Sequence, residues 1–79
     1  MVDLTIRITK QSQKELVKLK AILDMWDFSI ADEKIDKETS TLKLSINVFM
    51  PNSMNLMVSI AQSRFQDDLL EYNVRYEPL

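Results

Sequence analysis

Few residues in this chain could do chemistry, and those that could are carboxylates, hydroxyls and lysines. Among 79 residues there is no histidine, cysteine or glycine, so the usual nucleophile–base pairings and transition-metal ligand sets cannot be assembled from this chain alone. Two acidic groups remain: Asp32, Glu33 and Asp36, and then Asp67, Asp68 and Glu71. Carboxylate oxygens suit hard cations such as Mg²⁺ and Ca²⁺, but neither group has EF-hand spacing, and Lys34 and Lys37 interleave the first. Both groups read as solvated surface charge, and no metal, cofactor or catalytic residue follows from them.

Two further sets concern recognition. Arg7, Lys43 and Arg75, with Phe49, fall on the polar parity of regular extended segments. Ile22, Met25 and Trp26 widen a helical apolar stripe beyond what one contact requires. Deeper burial in the same core is the simpler account of that surplus, and a second contact surface is the alternative. These seven residues are the candidate partner-binding positions.

The elements that must position them are legible from periodicity. Leu4, Ile6 and Ile8 alternate with Thr5, Arg7 and Thr9, the period of a strand with one buried face. Ser12 followed by Glu15 matches a capping box and predicts a helix from there to about Trp26, with Leu16, Leu19, Leu23 and Trp26 toward a sheet. From Phe28 to Glu38 strand character is weaker. Phe28 and Ile30 share a parity that Ile35 breaks, so a bulge or an irregular edge strand is expected, followed by a turn near Lys37 to Ser40. The charges at 32 to 37 suit an edge or a hairpin tip.

The stretch from Ser40 to Met50 is the clearest strand, with Leu42, Leu44, Ile46, Val48 and Met50 facing one way and Lys43, Ser45, Asn47 and Phe49 the other. Pro51 cannot donate to a ladder, and Asn52 and Ser53 are good caps, so a second helix follows. Met57, Ile60, Ala61 and Phe65, flanked by Met54 and Val58, form its apolar side. Leu70, Tyr72, Val74 and Tyr76 then alternate with Glu71, Asn73, Arg75 and Glu77 in a last strand. The order βαββαβ predicts an α+β, ferredoxin-like (ACT-like) sandwich: four antiparallel strands with both helices on one face, as a single domain over 1–79. One-faced strands argue against a sheet covered on both sides.

Composition narrows the partners. Apolar residues at 46% favour a folded chain over disorder, and 79 residues lie near the lower limit for a core without staples, so a homodimer is a live expectation. A net charge of −2 gives no footprint for duplex nucleic acid. No apolar run approaches the length of a membrane span, and the absence of cysteine fits a reducing compartment, so a cytoplasmic location is expected. The polar sheet face would present Thr5, Arg7, Lys43, Ser45, Asn47, Phe49, Asn73 and Arg75. Single-stranded RNA modules of this topology stack bases on central-strand aromatics, which Lys43, Ser45 and Asn47 do not provide. The loop Thr9 to Ser12 lacks both a Cys-x-x-Cys pair and a phosphate-holding glycine loop, and without glycine no small-molecule ligand is expected there.

With that topology, the stretches "ILDMWDFSIADEKID", "STLKLSINVFMP" and "RFQDDLLEYNVRYE" resemble the soluble ACT-like domain that follows the membrane region in some members of the MgtC/SapB family. The resemblance is one of pattern over nearly the whole chain. It departs from the family where Asp67, Asp68 and Leu69 replace the usual glycine or proline-glycine before the final strand. It implies a noncatalytic regulatory or protein-interaction domain on the cytoplasmic side of a bacterial inner-membrane protein linked to magnesium limitation and virulence, with membrane-spanning helices in the parent protein. It carries over no ligand or metal residue. The alternative expectations are a free-standing small bacterial or phage protein binding RNA or a host protein through its open sheet, and a degenerate carboxylate enzyme.

Overall fold

A computed structural model of the chain describes residues 1–76. Its elements follow the expected order: β1 (Val2–Arg7), α1 (Lys10–Met25), β2 (Ser29–Asp36), β3 (Thr41–Asn47), α2 (Pro51–Phe65), a 3₁₀ turn (Gln66–Asp68) and β4 (Leu69–Val74). The four strands form one antiparallel sheet in the order β2-β3-β1-β4, a ferredoxin-like α+β arrangement. Glu77, expected in the last strand, lies outside the described residues.

The core explains the order. Val2, Leu4 and Ile6 of β1 and Leu44 and Ile46 of β3 are buried beneath Leu19 and Leu23 of α1 and Met54, Met57, Val58, Ala61 and Phe65 of α2. Burying a Leu, Ile or Met side chain stabilises by about 1.5–3 kcal/mol, so among the strands the two central ones carry most of this driving force. Both edge strands are far wetter: β2 has no fully buried residue, and Ile35, although opposite the buried Leu42, is 64% exposed. The cover that buries Leu42 does not extend to its neighbour on the edge strand. The parity conflict in β2 is resolved by a register shift at Ala31, between Ile30 and Asp32, which returns Ile35 to the face of Ile30. The turn occupies 37–40, and the Asp36 carboxylate accepts from the Glu38 and Thr39 amides at 3.0 and 3.4 Å.

Several local expectations are corrected. Helix α1 begins two residues before Ser12 and is capped by Thr9: the Thr9 Oγ1 accepts from the Ser12 amide, and the Thr9 amide donates to the Ser12 Oγ. Ser12 is thus the third helical residue, and Glu15 is free of any capping role. Neither Asn52 nor Ser53 caps α2. Pro51 occupies its first turn with Met50 as a cap that makes no side-chain bond, since the fixed φ of proline starts a helix unaided.

The end of α1 corrects the burial of Trp26 and Met25. The Phe28 amide donates to the Leu23 carbonyl at 2.9 Å, and the Asp27 amide to that of Asp24 at 3.4 Å, with Asp27 at φ 56°. This is a Schellman turn, which returns the chain over the helix end and packs the residue after the reversal against the last buried turn. Phe28 therefore reaches the core while Met25 and Trp26 remain outside. In β4 a second register shift pairs Leu69 with Ile6 but Glu71 with Thr5, so Leu69 packs on the core and Leu70 is displaced to the surface. Tyr72 keeps the core parity but is half exposed at the sheet edge, and Tyr76, past the strand, is exposed.

Candidate functional site

Three surfaces hold the residues singled out by sequence. The first is the open sheet face. Arg75 does not contribute free positive charge there: its Nε and Nη2 donate to the Asp3 carboxylate at 2.7 and 3.1 Å, and the Ser45 hydroxyl donates to the same carboxylate at 2.7 Å. Lys34 pairs with Asp32 at 3.5 Å. A shallow depression on this face is lined by Asp3, Asp32 and Glu71 against Lys34, Lys43 and Arg75, so acids and bases balance. Arg7 stands at the opposite end of β1, across from Thr41. Arg7, Lys43 and Arg75 thus form no continuous positive patch, and Phe49, past the end of β3, stands off the strand where a base would stack.

The second surface is one end of the sandwich. Ser29 pairs with Asn47, and Ile46 and Val74 both pair with Val2, so the α1–β2 turn, the β3–α2 link and the close of β4 all lie at the same end of the sheet. Five large apolar side chains are exposed at this end: Met25 (81%), Trp26, Phe49 (82%), Met50 and Tyr76. The first four have a local cause. The Schellman turn leaves Met25 and Trp26 outside. Val48 takes the last buried position of the β3 pattern, which turns Phe49 outward, and the abrupt entry into α2 at Pro51 leaves Met50 uncovered, against the expectation that it faces the core. Ile22 does not join them; half-buried, it lines a shallow groove between the helices with Ser59, Ile60, Ser63 and Arg64.

The third surface was not foreseen as a site. The Glu15 carboxylate is almost wholly buried between the helices, and it accepts from Gln11 Nε2 at 3.2 Å, from Lys18 Nζ at 3.5 Å and from Arg64 Nη1 at 3.5 Å. Two cations compensate its charge, and the contact with Arg64 ties α1 to α2. The Glu15–Lys18 spacing alone could have suggested an intrahelical pair, but only the packing of α2 brings Arg64 to it. The acidic groups are dispersed in the same way. Glu33 turns to the helix side and pairs with Lys20 at 3.3 Å, Asp36 holds the hairpin turn, and Asp68 accepts from the Thr9 hydroxyl at 2.7 Å. No three His, Cys, Asp or Glu side chains among the described residues converge as a metal site, and no helix among them is long and apolar enough to cross a membrane.

Comparison with known proteins identifies no relative: no family model, no curated protein and no solved structure matches the chain.

Proposed function

We propose that the chain is a noncatalytic protein-interaction module whose contact surface is the apolar end formed by Met25, Trp26, Phe49, Met50 and Tyr76. The observation that carries this reading is the collection of five large exposed apolar side chains from three separate chain segments at one end. Single exposed apolar residues are ordinary, but a gathered set marks an interaction surface. The charge-balanced sheet face, without aromatics on its central strands, gives RNA binding no comparable support. The resemblance to the ACT-like domain of MgtC/SapB proteins implies such a module beside a bacterial inner-membrane protein under magnesium limitation, with protein as the partner class.

The test is a photo-crosslinking residue at Met25, compared with one at Lys37 on the hairpin tip, in cells of the native host. A discrete adduct from position 25 that Phe49→Asp abolishes is the expected outcome. Equal labelling from both positions removes the reading. Cultures with and without magnesium limitation separate the family-level assignment from the contact itself.

A further inference from the structure

The two sheet edges are not alike. Along β2 the exposed edge carries Asp32, Glu33, Lys34 and Asp36, a run of charge that discourages pairing with another strand. Along β4, Leu69–Val74, the only charged residue is Glu71, and β4 ends the sheet order, with no strand among the described residues on its outer side. The direction of the unpaired groups can be fixed. The Arg75 amide donates to the Met1 carbonyl, and the Met1 ammonium donates to the Arg75 carbonyl, both at 2.8 Å. Arg75 therefore directs both of its backbone groups inward at β1. By the alternation of an antiparallel ladder, Asn73 does the same, while Val74 and Tyr72 direct theirs outward to the free edge.

We propose that β4 pairs antiparallel with β4 of a second copy of this chain about a two-fold axis at Asn73, joining two sheets into one of eight strands. That register sets Tyr72 opposite Val74 of the other copy, each supplying the outward N–H and C=O that the other needs. On the open face it sets Glu71 opposite Arg75 of the other copy, twice by symmetry. Glu71 makes no ion pair among the described residues, whereas Arg75 already holds Asp3, so the pairing would extend each Asp3–Arg75 contact by a third charge. On the helix side it brings Tyr76 of one copy to Leu70 of the other, both exposed, where Leu70 borders a groove with Gln62 and Gln66 of α2. Charge and apolar surface are thus both self-complementary, as a two-fold contact requires. The pairing shares only Tyr76 with the Met25–Phe49 end and is tested at Glu71 and Arg75, which lie outside that end, so either proposal can fail alone.

Sedimentation equilibrium on the purified chain up to high micromolar concentration tests it. The wild type is expected to dimerise. Glu71→Lys places like charges opposite one another twice and is expected to weaken the dimer on the order of ten-fold or more. Arg75→Glu does the same with the opposite sign. An equimolar mixture of the two variants should restore dimer, because the lysine introduced in one then meets the glutamate introduced in the other. Tyr72→Pro removes an amide that points away from β1 and should abolish the dimer with circular dichroism unchanged. A wild-type monomer throughout overturns the proposal, as does a dimer whose affinity Glu71→Lys leaves unchanged. Should the proline variant fail to fold, the mixing experiment decides alone.

Discussion

Thr9 ties together two parts of the fold. Its hydroxyl accepts from the Ser12 amide to cap α1 and donates to Asp68 at 2.7 Å, so the start of the first helix is tied to the turn that launches β4. Thr9→Ala is expected to cost about 1–2 kcal/mol, a fall of roughly 4–8 °C in midpoint per kcal/mol, read by thermal denaturation, with Thr9→Ser recovering most of it. Sequence pointed to the wrong cap because Ser12 with Glu15 fits a capping box by type, while Thr9 with Ser12 fits by hydroxyl geometry. Gln66 shows a different kind of residue-level fact. With no glycine available, Asp27, Ser40 and Gln66 all adopt positive φ, and Gln66 at φ 50°, ψ −120° occupies a conformation that favours glycine in tight turns. The turn before β4 thus keeps a glycine-like geometry without the glycine. Gln66→Gly is expected to stabilise by up to about 1 kcal/mol, because relief of the left-handed penalty outweighs the added chain entropy. An unchanged or lower chemical-denaturation midpoint would refute it.

At the scale of elements, periodicity located all six, and burial decided how they are used. The apolar stripe of α1 narrows to Leu19 and Leu23, with Leu16 and Ile22 at its margins and Val17 71% exposed. Leu19→Ala should cost about 2–5 kcal/mol, and Val17→Ala within about 0.5 kcal/mol of nothing. Urea melts of the two variants check the contrast, and a comparable loss at both would contradict the packing described. The strands β2 and β4 needed register shifts, at Ala31 and Leu70, to set their apolar residues. The first was legible because Ile35 broke the parity of Ile30. The second was not, because Leu69 and Leu70 are the same residue type and alternation alone cannot choose which of them faces the core.

For the whole molecule, function is a matter of which surfaces are left uncovered. The guarded β2 edge, the open β4 edge and the apolar end at Trp26 and Phe49 are properties of no single element. The Met25 crosslink and the β4 charge swap address them separately: Glu71→Lys should dissociate the dimer and leave the Met25 adduct intact. What the residues determined by themselves is the βαββαβ order and the one-faced sheet, because two- and 3.6-residue periods of apolar side chains are local facts that burial then enforces. What only the tertiary structure decided is the meaning of the leftovers. Whether Trp26 fills the core or faces water depends on a Schellman turn that delivers Phe28 to the core in its place. The fate of the Glu15 charge and of the Arg75 guanidinium depends on partners 49 and 72 residues away in the chain, Arg64 and Asp3. Distances of that kind are set by packing, and no local pattern encodes them.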